Sequence, residues 1–260
     1  MHQNIRSPST YPATGISCPV TGIIHDMKKS TRLILSATAV TVLVSGFLVY
    51  RRIGLPSERT LRLLTWLKDP QAAAGWMVPA GQNCGNAPFL FPSTGLIGYL
   101  WDDSFQAGKR HQGIDIFAPT GPGQTPVIAA YDGYLTRLES WKSSLIIRVP
   151  EDPLQPGRQI WIYTTHMADP DGNSFISAEF PPGTTEKFVQ AGTLLGFQGN
   201  YSGDTGNPVG VHLHFSIVRD DGQGRWLNEL KIQNTLDPSP YLGMDVNNNH
   251  HPELPVLCHK

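Results

Sequence analysis

The nine histidines of this 260-residue chain fall into two groups. His2, His25, His250, His251 and His259 sit in polar stretches, whereas His111, His166, His212 and His214 sit among β-branched and aromatic residues. In Val211–Val218, residues Val211, Leu213, Phe215 and Ile217 are all apolar. A strand alternates its faces, so His212, His214 and Ser216 share the opposite face, and two imidazoles spaced i, i+2 converge on one point. A solvent-facing pair is the ordinary alternative. His111 and Asp115 lie four apart, with Gly113 between them to let the backbone bend. Alone they could be a turn histidine and a capping aspartate. Together, His111, Asp115 and His214 supply two imidazoles and one carboxylate, the donor set of a catalytic zinc with one position open to water. The same count suits a non-haem iron, against which the two further histidines argue. His166 ends the run Ile160–Thr165 and is a candidate acid or base beside a metal. On a regular strand Tyr163 and Thr165 point away from it, so they are not counted in the site.

The elements that must position these groups are short. Gly (26) and Pro (22) are abundant, which favours turns and brief strands over long helices. Val127–Tyr131, Asp132-Gly133 and Tyr134–Leu138 read as a hairpin, with Asp-Gly in the tight turn. Leu145–Val149, Gln159–His166 and Val211–Val218 read as further strands. With no amphipathic helix between them, the expected class is mainly β with an antiparallel sheet. The apolar share of 40 % suffices for a core, and a net charge of -1 argues against a broad nucleic-acid surface. No CxxC pair occurs among the three cysteines; Cys84 and Cys258 flank the β region and could pair in an oxidising compartment, leaving Cys18 apart.

Residues 33–50, LILSATAVTVLVSGFLVY, carry no charge and are bracketed by Lys28, Lys29, Arg32, Arg51 and Arg52. As a helix they cover ~27 Å, near the thickness of a bilayer's hydrocarbon core. Arg51 and Arg52 close the run without a small-x-small site, which favours an uncleaved anchor over a signal peptide. Basic residues flank both sides almost evenly and do not set the orientation, and Met27 remains an alternative start. The expected organisation is a cytoplasmic tail (1–32), a single transmembrane helix (33–50), a stalk or linker with a short helix before Pro70 (51–83), a β domain (84–245) and a frayed C-terminal tail (246–260).

These motifs resemble the lysostaphin/LytM-type zinc endopeptidases. That family's pattern is H-x3-D, a histidine after an aromatic strand, and H-x-H, which here are His111–Asp115, His166 and His212-Leu213-His214. Ala118-Pro119, Thr125-Pro126-Val127 and Gln190-Ala-Gly192 fit the flanking blocks. The resemblance implies a peptidase domain of the duplicated-hybrid-motif type, Zn2+ held by His111, Asp115 and His214, and His166 and His212 as catalytic groups beside the open position. It implies hydrolysis of peptide bonds in peptidoglycan stem peptides or cross-bridges. Because peptidoglycan lies outside the cytoplasmic membrane, it also implies an anchored enzyme with its N-terminus inside and its catalytic domain outside. The longer loops at 120–125, 150–159, 169–188 and 201–210 depart from the family and are expected to wall the groove. Residues 70–100, through Asn83 or Asn86, could occupy it. The alternative is a catalytically inactive LytM-like module that binds the cell wall or regulates an amidase.

Overall fold

Among the described residues, ten short strands form where β-branched and aromatic residues are bounded by glycine, proline and aspartate. In chain order they are β1 (Leu96–Tyr99), β2 (Ile114–Phe117), β3 (Pro126–Ile128), β4 (Gly133–Thr136), β5 (Leu145–Val149), β6 (Ile160–Thr165), β7 (Lys187–Val189), β8 (Leu194–Phe197), β9 (His212–Arg219) and β10 (Thr235–Leu236). Helix α1 (Glu58–Lys68) precedes them and the single-turn α2 (Ser239–Leu242) follows. The computed structural model describes residues 58–104 and 108–258, together with Thr41, Val42 and Ser45, which are helical. The rest of the expected membrane span at 33–50, the tail at 1–32 and the stretch 51–57 lie outside the described residues. Among the described residues no helix is long and apolar enough to cross a membrane. The chain divides into two compact units, Met1–Leu55 and Pro56–Lys260, and the second carries all ten strands.

The mainly β, antiparallel character matches the expectation. Seven strands follow one another in the order β1-β2-β9-β6-β5-β4-β7, with β10 also on β9, and β3 pairs with β8 in a second, small sheet. Strand β9 lies between β2 and β6, so both its edges are paired, and both its faces are buried: Leu213, Phe215 and Ile217 enter the main core, and His212, His214 and Ser216 are also buried. Gly113 is needed for close approach rather than for a bend, since a Cβ there would run into the Phe215 carbonyl.

Two expectations are corrected. The Asp132-Gly133 hairpin does not form: β3 pairs with β8, while β4 pairs with β5 and β7. Gly133 sits in a strand, where any Cβ would meet the Arg148 carbonyl at 2.5 Å, and Asp132 Oδ1 accepts from the Ala191 amide at 2.7 Å. The flanks are also less free than linker and tail. Trp66 and Leu63 of α1 are buried with Leu96 and Phe117, and Val78 is buried in the main core. At the other end Val256 is buried, Asn247 donates to Asp237 at 2.7 Å, and Cys258 is bonded to Cys84 with 5.3 Å between Cα atoms. Apolar side chains at 63, 66, 78 and 256 explain the difference, because each is more stable out of water than exposed on a tether.

Candidate metal centre

The site is laid out by register. Along one row across the sheet, Tyr99 lies opposite Asp115, Asp115 opposite His214, and His214 opposite Thr165. Directly opposed residues share a face, with side chains within reach of each other. The next row of β2 and β9 opposes Phe117 to His212, whose rings stack at 5.0 Å. His111 enters from the turn before β2.

Three donor atoms meet. His111 Nε2 lies 3.1 Å from Asp115 Oδ1 and 3.1 Å from His214 Nδ1, and His214 Nδ1 lies 3.0 Å from Asp115 Oδ1. A tetrahedral zinc with bonds of about 2.0 Å has ligand-to-ligand edges of about 3.3 Å, close to this triangle. The remaining ring nitrogens explain why the lone pairs turn inward. His111 Nδ1 donates to the Leu100 carbonyl at 2.9 Å, and His214 Nε2 donates to Glu229 Oε1 at 2.8 Å. With those protons directed outward, two neutral imidazoles and a carboxylate present three acceptors to one another. Such a face is stable only around a cation or a proton, so the residues fit the expected Zn2+.

Electrostatics points the same way. Burial opposes the charged form of Asp115, yet His111 and His212 hold its carboxyl well below the usual range. Burial likewise opposes protonation of His214, but Glu229 and Asp115 override it and push this imidazole up to about 10 without a metal. The pocket attracts positive charge strongly enough that a proton stands where a metal would. His166 and His212 behave in the opposite sense. Burial, helped by its neighbour His212, pushes His166 down to about 3, and burial outweighs Asp115 in lowering His212. Both are neutral at pH 7. Each has an N–H fixed by a carbonyl, His166 Nδ1 to Tyr201 at 2.6 Å and His212 Nδ1 to Gly210 at 2.7 Å. Their rings lie 4.3 Å apart, and His212 Nε2 is 3.7 Å from Asp115 Oδ1.

All five expected residues are therefore brought together. The expectation for Tyr163 and Thr165 was wrong: both line the same cavity as His166. His166 lies just past β6 with φ +73°, a left-handed backbone that breaks strand alternation and turns its ring to their side. Of the long loops, only 201–210 walls the cleft; 150–159 borders a separate depression with Arg219 and Asp220. Asn83 spends its amide on the Ala87 and Phe89 carbonyls, and neither it nor Asn86 lines the cleft. Sequence reasoning missed Glu229, for which a lone acid in a polar loop carried no signal, and the leucines of α1.

No family model matches the sequence, and no curated protein matches it. Solved lysostaphin-type peptidases resemble it. The catalytic domain of the antimicrobial peptidase lysostaphin from Staphylococcus simulans is 18% identical, over 61% of this chain and 93% of that one, with a TM-score of 0.35. A putative glycyl-glycine endopeptidase lytM from Ruminococcus gnavus is 27% identical, over 50% of this chain and 45% of that one, with a TM-score of 0.34. A putative peptidase M23 from Pseudomonas aeruginosa is 19% identical, over 73% of this chain and 63% of that one, with a TM-score of 0.35. The chain thus spans less than two thirds of the last two. Overlap of this extent carries no argument about chemistry, which rests on the side chains described above.

Proposed function

We propose that this protein is a zinc-dependent endopeptidase of the lysostaphin/LytM type that hydrolyses peptide bonds in peptidoglycan. The observation that carries the reading is the triangle of His111 Nε2, Asp115 Oδ1 and His214 Nδ1, with edges of 3.0 to 3.1 Å and both histidine protons directed outward. A bound zinc would supply a Lewis acid and acidify a water at neutral pH. His111, Asp115 and His214 would hold it, with Leu100 and Glu229 orienting the two rings. His166 and His212 present uncharged Nε2 atoms. Each can orient a water by accepting its hydrogen bond, take its proton as negative charge develops nearby, and return that proton to the departing amine.

The same reading puts the catalytic unit outside the cytoplasmic membrane, tethered by residues 33–50 with the N-terminus inside. The pairing of Cys84 with Cys258 supports it, because such bonds persist in oxidising compartments. The test is digestion of purified peptidoglycan by the full chain in detergent, with metal content measured alongside and fragments weighed by mass spectrometry. Wild type should carry about one zinc per chain and release new peptide termini, and Asp115→Ala should do neither. A zinc-loaded wild type that releases no fragments would favour the inactive, wall-binding alternative.

A further inference from the structure

His166 and His214 floor a cleft with two arms, one richer in polar side chains than the other. One arm, about 490 Å³, passes His166 and His214 toward Lys142, Ser144, Tyr163 and Tyr201. The other, about 470 Å³, passes the same two histidines toward Leu63, Leu64 and Leu67 of α1, with Val209 also in its lining. Among the described residues, the only carboxylate lining the second arm is Asp115, already engaged by three histidines. Away from the metal site itself, the described residues of that arm offer no charged side chain to a group entering there.

Helix α1 is a fixed wall rather than a passing strap. Trp66 is fully buried, Arg59 forms an ion pair with Asp103 and donates to Asn248 at 3.0 Å, and Thr60 bonds the Tyr99 hydroxyl. The Tyr99 ring in turn lies edge-on to His111 at 6.3 Å. Yet on this anchored helix Leu64 remains 48% exposed and Leu67 45% exposed, and Val209 is 37% exposed. Positions half open to solvent ordinarily carry polar side chains, as Glu58, Thr65 and Lys68 do on the same helix. Three half-exposed aliphatic side chains around one arm of a cleft that contains the site histidines form an apolar receptor.

We infer that α1 is a specificity wall: Leu64 and Leu67, with Val209, receive an uncharged apolar side chain of the substrate residue on one side of the scissile bond. This rests on the peptidase reading above. Charged side chains on that side are excluded, because their desolvation would be uncompensated. The hydroxyl-lined arm accommodates the polar side of the substrate.

The test uses the full chain in detergent with synthetic peptides carrying the bond found to be cut in peptidoglycan. The residue on each side of that bond is varied in turn among Leu, Ala, Glu and Lys. Wild type should prefer the apolar residue over Glu by about tenfold or more in kcat/KM at one of the two positions, the scale of hydrophobic-pocket discrimination. Leu64→Lys/Leu67→Lys should lose or invert that preference toward Glu, leave the other position unchanged, and keep its zinc. Leu64→Ser/Leu67→Ser, a milder pair at the same exposed positions, should flatten the preference without inverting it. Unchanged preferences at both positions in either folded variant overturn the wall but leave the peptidase reading standing. Failure of zinc-loaded wild type to cut any peptide or peptidoglycan removes both.

Discussion

Replacing Glu229 by Gln probes the metal-centre argument most directly, because this residue is not a metal ligand in the proposed scheme and acts on the site through His214. Its carboxylate accepts from His214 Nε2 at 2.8 Å and so leaves Nδ1 facing His111 and Asp115. Across one imidazole ring, that charge stands about 5 Å from the Nδ1 lone pair, where two unit charges at an effective dielectric of about 20 interact by about 3 kcal/mol. That figure is a ceiling, since Gln can still accept through its amide oxygen. Outer partners of metal-bound histidines are worth about 10–100-fold in metal affinity. The expected loss of zinc affinity for Glu229→Gln is therefore about 10–100-fold, or about 1.4–2.8 kcal/mol at 1.4 kcal/mol per tenfold. A pH series adds a second readout. Without metal, the wild-type His214 proton persists to about 10, so zinc must displace it, and affinity should climb with pH across the neutral and alkaline range. Removing the Glu229 charge lowers that ceiling, and the climb should level off at lower pH. Competition against a chromophoric chelator at several pH values reads both quantities, with circular dichroism checking the fold. Zinc affinity within twofold of wild type, with the same pH dependence, would refute the role assigned to Glu229 and to the tautomer it sets.

Three further outcomes are expected. His166→Ala should keep its zinc but lose about 10²–10⁴-fold in kcat on peptidoglycan fragments, because His166 sits outside the donor triangle and is neutral at pH 7; loss of metal in this variant would instead make it a ligand. In chelator-treated protein, the raised His214 value means a stabilising contribution fully present below about pH 6.5 and lost as pH rises toward 10, so thermal unfolding should move to lower temperature over that window and far less so with zinc bound. Cys84→Ser/Cys258→Ser opens a link between residues 174 apart, for which loop entropy sets a loss of up to about 5 kcal/mol; a melting temperature unchanged by the double substitution would remove the disulfide from the stability of the domain.

Strand identity was legible because it is local. Alternation in Val211–Val218 puts His212 and His214 on one face whatever the rest of the chain does, and the aromatic, β-branched run before His166 is equally self-sufficient. The donor types at 111, 115 and 214 also follow from the chain alone, and so does the chemistry they permit. Pairing is not local. Asp-Gly after Val127–Tyr131 had the composition of a hairpin turn, yet β3 found β8 and β4 found β5 and β7, since burying Val127, Leu135 and Leu195 outweighs a local turn preference. Only the register of β2 against β9 joins His111 to His214, which are 103 residues apart, and only the left-handed backbone at His166 turns its ring onto the face of Tyr163 and Thr165. Glu229 and the α1 leucines reach the site from loop and helix, where no period of the sequence points at a metal. Sequence alone thus determined which groups could bind an ion. Tertiary structure decided that they converge, which proton each ring keeps, and what walls the cleft, because convergence depends on long-range packing that no short stretch of chain encodes.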